Sequence, residues 1–324
     1  MSWWGLRCGV MRAWGSAYKT TPPRSQKSGF LKMPELVTLG QSTYYEDECY
    51  ADPFGPTPEV VLIQTGYGRT TNFWYHWIPK LADKYRVIRR DLRGHGRSSA
   101  PNRDTYDWSL DTMLAEIVDM LDQLKIDKVH FVGESTSGEL GVALAVKYPH
   151  RLHSLITVSS PTHLPAKSCE FLALGRESWP KAVAQLGSEG WARELGKRPG
   201  TGARKSNSGY MEWWATEIGK CPTYGLEQYA VFLMHLDVRG LLKDVHVPTL
   251  ILAPERSTAT PKEYRPLQHF LIAGIPCLSI GRSRDRNSCG STVKAMRSLS
   301  TGRTCASRKS KILLQVCTRI EATR

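Results

Sequence analysis

The stretch Val129 to Gly141, Val-His-Phe-Val-Gly-Glu-Ser-Thr-Ser-Gly-Glu-Leu-Gly, runs from an apolar strand through a tight turn into a helix, with Ser135 at the tip. Its centre, Gly133-Glu134-Ser135-Thr136-Ser137, departs from the G-x-S-x-G nucleophile-elbow pattern only at the last position, where Ser137 stands and Gly138 follows. Small residues flank such a serine because strand and helix backbones approach closely there. Ser135 is therefore the candidate nucleophile. A serine hydroxyl needs a base to take its proton and an acid to orient that base, in the chain order Ser, Asp/Glu, His for a turn of this kind. Five residues alone also occur as an ordinary turn, so the surrounding elements decide.

From Met33 onward those elements are regular. Residues 35–49 read as an antiparallel hairpin, and 59–64 as a β-branched strand ending at Thr65-Gly66-Tyr67-Gly68. A helix over 74–84 leads to a strand at 85–89 and then to the loop Asp91-Leu92-Arg93-Gly94-His95-Gly96-Arg97-Ser98. Leu110, Leu114, Ile117, Val118, Leu121 and Leu124 share one helical face, with Asp107 or Ser109 available as the cap. The strand at 129–132, a helix over 139–148 and a strand at 155–159 follow. This alternation predicts an α/β fold, a mostly parallel sheet with helices on both faces. After Pro161 the alternation stops, and 165–240 is helical and rich in tryptophan (Trp179, Trp191, Trp213, Trp214), which reads as a cap above the sheet. The pattern resumes with a strand at 247–253 and a helix near 262–270.

The 324 residues are 41% apolar, enough for a substantial core. No apolar run approaches the roughly eighteen residues of a membrane span, so a soluble chain with no membrane partner is expected. The formal charge of +14 would ordinarily suggest nucleic acid, but 1–32 carries +6 and 281–324 carries +9, leaving 33–280 near neutral at −1. The basicity belongs to the ends and not to a recognition module, so no nucleic-acid partner is expected. Eight scattered cysteines form no C-x-x-C pair, which predicts reduced thiols, no zinc site and a cytoplasmic protein. Residues 1–34 read as a disordered basic extension; Trp3, Trp4, Trp14 and Pro22-Pro23 spoil the amphipathic helix of a transit peptide.

In order, the Thr65–Gly68 loop, the D-x-R-G-H-G-x-S loop and the serine turn make the chain resemble the α/β-hydrolase superfamily, in its cap-bearing branch of esterases, epoxide hydrolases and cofactor-free haloperoxidases. The likeness covers 59–163 and 237–261; Ser159–Leu164 and Gly175–Trp179 further resemble fungal hydrolases of secondary-metabolite clusters. The resemblance implies an α/β-hydrolase fold divided as core 35–164, helical cap 165–240, core 241–275 and an atypical basic tail 276–324. It also implies an oxyanion hole from the backbone amides of Tyr67 and Thr136, although the usual His-Gly of that loop is Thr65-Gly66 here. His95 falls in what the family uses as a structural turn, pinned by Asp91 and Arg93. The acid should follow the strand at 250–253, where Ser257 occupies the aspartate position and Glu255 is the nearby carboxylate; Asp237 serves only if the acid has moved. No histidine follows His269, so His163, after the 155–159 strand, is the base candidate, or it caps that turn. Beyond Pro276 charge, cysteine frequency and periodicity change together, and the family's last strand and helix are missing. A shifted reading frame or retained intron accounts for this, and a divergent tail is the rival; sequencing the transcript separates them.

Two functions follow. One is a serine hydrolase acting through Ser135 on an ester, thioester or lactone of a small apolar metabolite, with no metal and no organic cofactor. The alternative is a catalytically impaired binding protein of the same fold that lacks the triad histidine. Either takes a small molecule as partner, and neither fixes an oligomeric state.

Overall fold

The computed structural model describes residues 35–199, 201 and 208–252, together with the backbone of two short strands at 278–280 and 293–295. The extension 1–34, Glu255, Ser257, the helix expected near 262–270 and most of the tail lie outside the described residues.

Two strands, β1 (Glu35–Thr38) and β2 (Gln41–Glu48), form the expected hairpin, and β2 joins the main sheet antiparallel to β4 (Arg86–Arg90). β3 (Val60–Gln64), β5 (Val129–Glu134), β6 (Leu152–Val158) and β7 (Thr249–Leu252) complete a seven-stranded sheet of order β1-β2-β4-β3-β5-β6-β7, parallel from β4 to β7. Val61, Leu62, Ile63 and Gln64 of β3 are all buried, as a central parallel strand covered on both faces must be. On one face α2 (Leu110–Gln123) and α3 (Ser137–Lys147) pack over Leu62, Ile88 and Phe131. On the other, Trp74, Ile78 and Leu81 cover Val61, Ile63, Val87 and Val132. Both candidate caps of α2 take part: the Ser109 hydroxyl accepts from the Thr112 amide at 3.3 Å, and the Asp107 carboxylate accepts from the Ser109 and Thr112 hydroxyls.

The helix expected over 74–84 is instead a 3₁₀ turn, Thr71–Trp74, and a single helical turn, α1 (Ile78–Leu81). Pro79 is the reason. With no amide hydrogen it is tolerated only in a first turn, so the helix must restart beside it.

The described residues between 165 and 240 form four helices, α4 (Ala166–Ala173), α5 (Trp179–Lys197), α6 (Ser208–Gly219) and α7 (Thr223–His235). Trp179, Trp191, Trp214, Leu226, Tyr229 and Leu233 are their buried face. The chain returns to the sheet where Val238 donates its amide to the Thr162 carbonyl at 2.9 Å, bridging His163 to Asp237. Among the described residues the main sheet stops at β7. Within the tail, however, β8 (Leu278–Ile280) and β9 (Val293–Ala295) pair antiparallel as a separate two-stranded sheet, where the sequence pattern suggested no strand.

A buried arginine is among the groups that tie the hairpin to the core. Arg93 is fully buried, its Nε 2.8 Å from Glu116 of α2, and it also donates to the Thr38 and Thr43 hydroxyls and the Ser42 carbonyl. Arg93→Met leaves the buried Glu116 carboxylate with the Tyr106 hydroxyl but no cation, and is expected to cost about 3–5 kcal/mol in urea denaturation.

Candidate active site

Strand β5 ends at Glu134 and the chain turns at Ser135, whose φ of 52° lies in the left-handed region that non-glycine residues avoid. Two hydrogen bonds hold it there: the Ser135 amide donates to the Val158 carbonyl of β6 at 2.8 Å, and the Gly138 amide donates to the Ser135 carbonyl at 3.0 Å. Neighbouring backbone leaves no room for larger residues. A Cβ on Gly133 would stand 2.5 Å from the Ser137 carbonyl oxygen, and one on Gly66 would stand 2.8 Å from Ser135 Cβ. Ser137 itself is accommodated because its hydroxyl donates to the Thr65 carbonyl, so the departure from glycine adds a tie between elbow and facing loop. Ser135 is half-buried and its Oγ makes no hydrogen bond to a described residue.

That facing loop, 65–72, follows β3. Neither the Tyr67 nor the Thr136 amide donates to a described residue, whereas the Gly66 amide points at the Glu134 carboxylate at 3.4 Å. Glu134 is also ion-paired to Arg69, and the Thr65 hydroxyl donates to the Arg69 carbonyl at 3.0 Å. The support that a His-Gly loop draws from its histidine is thus replaced by Glu134, Arg69 and Ser137. Sequence reasoning passed over this pair, whose one legible signal is opposite charge beside the serine and beside the glycine turn.

From the other side α6 and α7 grip the same loop. The Tyr67 phenol donates to the Leu226 carbonyl of α7 at 2.9 Å, and its ring centroid lies 4.4 Å from Trp179 and 5.5 Å from Trp191. Burial pushes the Tyr67 phenol well above its usual range, so it stays protonated and donating. Glu217 of α6, almost fully buried, accepts from the Thr70 hydroxyl and from Asn72 Nδ2 at 2.7 Å, with its second oxygen on Lys220. Burial raises its pKa, but the Lys220, Thr70 and Asn72 hydrogen bonds outweigh it and hold the carboxyl below its ordinary value.

The histidines and acids are placed as follows. His95 is buried, its Nδ1 3.0 Å from the Arg93 carbonyl oxygen and its ring 4.9 Å from that of Tyr229; burial pushes its pKa down to about 4, so it is neutral at physiological pH. Asp91 accepts from the Thr71 amide at 2.7 Å and the Arg97 amide at 3.0 Å, and burial pushes its carboxyl up to about 6. His163 is half-buried, its Nδ1 3.5 Å from the Thr162 hydroxyl, and no hydrogen bond joins it to Ser135. Asp237 is held by Arg239 at 3.0 Å. Glu255 lies outside the described residues. His130 is a core residue bonded to Ser154 at 2.8 Å, and His246 is exposed.

Sequence reasoning missed Glu139, in the first turn of α3. It is fully buried and neither carboxyl oxygen has a partner among the described residues. Burial and then the charge of Asp237 push its pKa well above the ordinary value, so it folds as the neutral acid. A carboxyl with its folded pKa raised binds protons more tightly in the folded chain, so stability is highest below the unfolded pKa and falls as pH rises. Glu139→Gln is expected to flatten the stability profile as pH rises above the ordinary carboxylate range and to be the more stable protein at the upper end, by chemical denaturation.

No described helix is long and apolar enough to cross a membrane, and no described cluster of His, Cys, Asp and Glu has the makings of a metal site. Cys49, Cys169 and Cys221 are free thiols.

Residues 59–191 match the alpha/beta hydrolase fold family. The 3-oxoadipate enol-lactonase 2 of Acinetobacter baylyi is 26% identical over 210 residues, 64% of this chain and 75% of that protein. The pimeloyl-[acyl-carrier protein] methyl ester esterase of Aeromonas hydrophila is 36% identical over 127 residues, 39% of this chain, and the chain spans only 44% of that esterase. Among solved structures, the enol-lactonase from Burkholderia xenovorans LB400 superposes with a TM-score of 0.62 at 20% identity, covering 76% of this chain and 91% of that one. At that identity the likeness speaks for the architecture. With β3, the serine turn and the sheet order all in place, the chain has the α/β-hydrolase fold.

Proposed function

We propose that the chain is a serine hydrolase that cleaves an ester, thioester or lactone of a small apolar metabolite, and that it sits in the cap-bearing branch with fungal secondary-metabolite hydrolases. The observation that carries this reading is Ser135 held at a φ of 52° beside Gly66, with the Tyr67 and Thr136 amides unengaged by described residues. A strained residue persists only where its surroundings enforce it, and such strain gathers at functional sites. Ser135 Oγ attacks the carbonyl carbon as its proton passes to the base, and the developing oxyanion accepts from the two amides, each such donor being worth about 10²–10³-fold in rate; the bond to the alcohol or thiol then breaks as that proton is returned to it, and water releases the acyl group from Ser135. Trp179, Trp191 and Tyr67 supply an apolar wall that excludes water. The relatives named as an enol-lactonase and a methyl ester esterase support the reaction class.

His163 is proposed as the base and Glu255 as the acid; contacts to a base commonly tighten only with substrate bound. The chemistry needs side chains and amides only, so no cofactor or metal enters it. The partner is proposed to be a small molecule rather than nucleic acid or membrane, and the free thiols fit a cytoplasmic setting.

A binding role without turnover is the second reading, favoured by one observation: no described imidazole is hydrogen-bonded to Ser135. Treatment of the native full chain with a fluorophosphonate, followed by peptide mass spectrometry, decides. Labelling of Ser135 that disappears on heat denaturation is expected; an unreacted Ser135 hands the case to the binder.

A further inference from the structure

Loop 65–72 is gripped from two sides, and only one grip belongs to the catalytic core. On the core side, Ser137 holds the Thr65 carbonyl, Glu134 holds Gly66 and Arg69, and Asp91 and Arg89 hold the Thr71 amide and carbonyl. On the cap side, α7 holds Tyr67 through the Leu226 carbonyl, and α6 holds Thr70 and Asn72 through one carboxylate oxygen of Glu217. Gly68 lies between, with α6 Ile218 and α5 Trp191 within van der Waals distance of where its side chain would begin. Tyr67, whose amide is the proposed oxyanion donor, sits between these fastenings.

A carboxylate that is 2% exposed is costly to bury, and charge-assisted hydrogen bonds offset that cost. Here the donors are Lys220 just past the end of α6 and two side chains of the oxyanion loop, so the burial of Glu217 is coupled to the loop's position. We infer that Glu217 is a positioning residue: through Thr70 and Asn72 it fixes the loop so that the Tyr67 amide faces the developing oxyanion, and seating of the cap is thereby a condition for catalysis, not merely a cover for substrate. Glu217 touches no reacting atom. Its influence passes along the backbone from Thr70 and Asn72 to Tyr67, which the phenol–Leu226 bond holds to the neighbouring helix. The depressed pKa of Glu217 agrees with a carboxylate engaged as an ion. This inference rests on the serine-hydrolase reading above.

The test is steady-state hydrolysis of a short nitrophenyl ester, and the rate of fluorophosphonate labelling at Ser135, by the full chain and its variants, with thermal denaturation alongside. Glu217→Leu is expected to lower kcat about 10- to 100-fold, the scale of a misplacement near 1 Å, with KM within about twofold. Glu217→Gln keeps an oxygen for Thr70 and Asn72 and is expected to restore most of kcat. Asn72→Ala, made in case Glu217→Leu does not fold, is expected to lower kcat several-fold and to add nothing when combined with Glu217→Leu, because both act through one contact. Labelling rates should follow kcat. Folded Glu217→Leu or Asn72→Ala protein with wild-type kcat and labelling rate overturns the inference, as does a rise in KM with kcat unchanged. If wild-type Ser135 does not react with the fluorophosphonate at all, the hydrolase reading falls and takes this inference with it. Reactive wild type with indifferent variants overturns the inference alone.

Discussion

Ser135→Ala is expected to lower kcat for nitrophenyl ester hydrolysis by about 10⁴-fold or more, because the covalent route is lost and only binding and the oxyanion amides remain. The substitution isolates chemistry from folding. Ser135 holds a φ of 52°, and alanine meets the same backbone strain as serine, so thermal stability should stay within about 2 °C of wild type. Ser135→Gly removes the strain along with the nucleophile. It is expected to be equally inactive yet more stable than Ser135→Ala by about 1 kcal/mol, measured by urea denaturation. Stability gained by discarding the Cβ, with none gained by discarding the hydroxyl alone, would show that the fold maintains a strained residue at the serine position. Hydrolysis by Ser135→Ala at the wild-type rate would remove Ser135 from the mechanism, whatever the elbow looks like.

Features written in contiguous residues were legible before the structure. The serine turn could be read because its requirement for small residues falls within a few positions, and β3 and β5 because central parallel strands are apolar on both faces. The cap of α2 was legible for the same reason, since Ser109 acts on Thr112 only three residues away. The helix expected over 74–84 failed locally, where Pro79 outweighed the apolar pattern around it. What could not be read lies in contacts between distant positions. Arg69 and Glu134 are separated by 65 residues, and Asn72 and Glu217 by 145, and a single sequence gives no reason to pair them. Glu139 was hidden differently: an acid in the first turn of a helix resembles an exposed residue favoured by the helix dipole, and only its burial in the folded chain, with the charge of Asp237 nearby, forces the neutral form. The proton relay is the hardest part of all to read, because a base is defined by its distance from Ser135 across the cap junction and not by any spacing along the chain.

Gly66→Ala is expected to lower kcat about 100-fold while costing about 1–3 kcal/mol of stability, and it bears on the oxyanion loop as Ser135→Ala bears on the nucleophile. The added methyl group would stand 2.8 Å from Ser135 Cβ and 3.1 Å from the Glu134 carbonyl oxygen. Neither neighbour can yield. The Ser135 amide is bonded to Val158 and the Gly138 amide to the Ser135 carbonyl, while the elbow glycine before them has backbone within 2.5 Å of its own Cβ position. The loop must therefore move away from the elbow, which loosens the Gly66 amide from Glu134 and carries the Tyr67 amide off the proposed oxyanion position. It cannot retreat far, because Thr70, Asn72 and Tyr67 are anchored to α6 and α7, so the strain is shared between a displaced amide and weakened contacts to those helices. Rate and denaturation curves for the same preparation distinguish the outcomes. A fall in kcat beyond what the lost folded fraction explains places the Tyr67 amide in the transition state. Folded Gly66→Ala protein with wild-type kcat would mean that negative charge is stabilised elsewhere, and the loop would then be no more than a turn that packs beside Ser135.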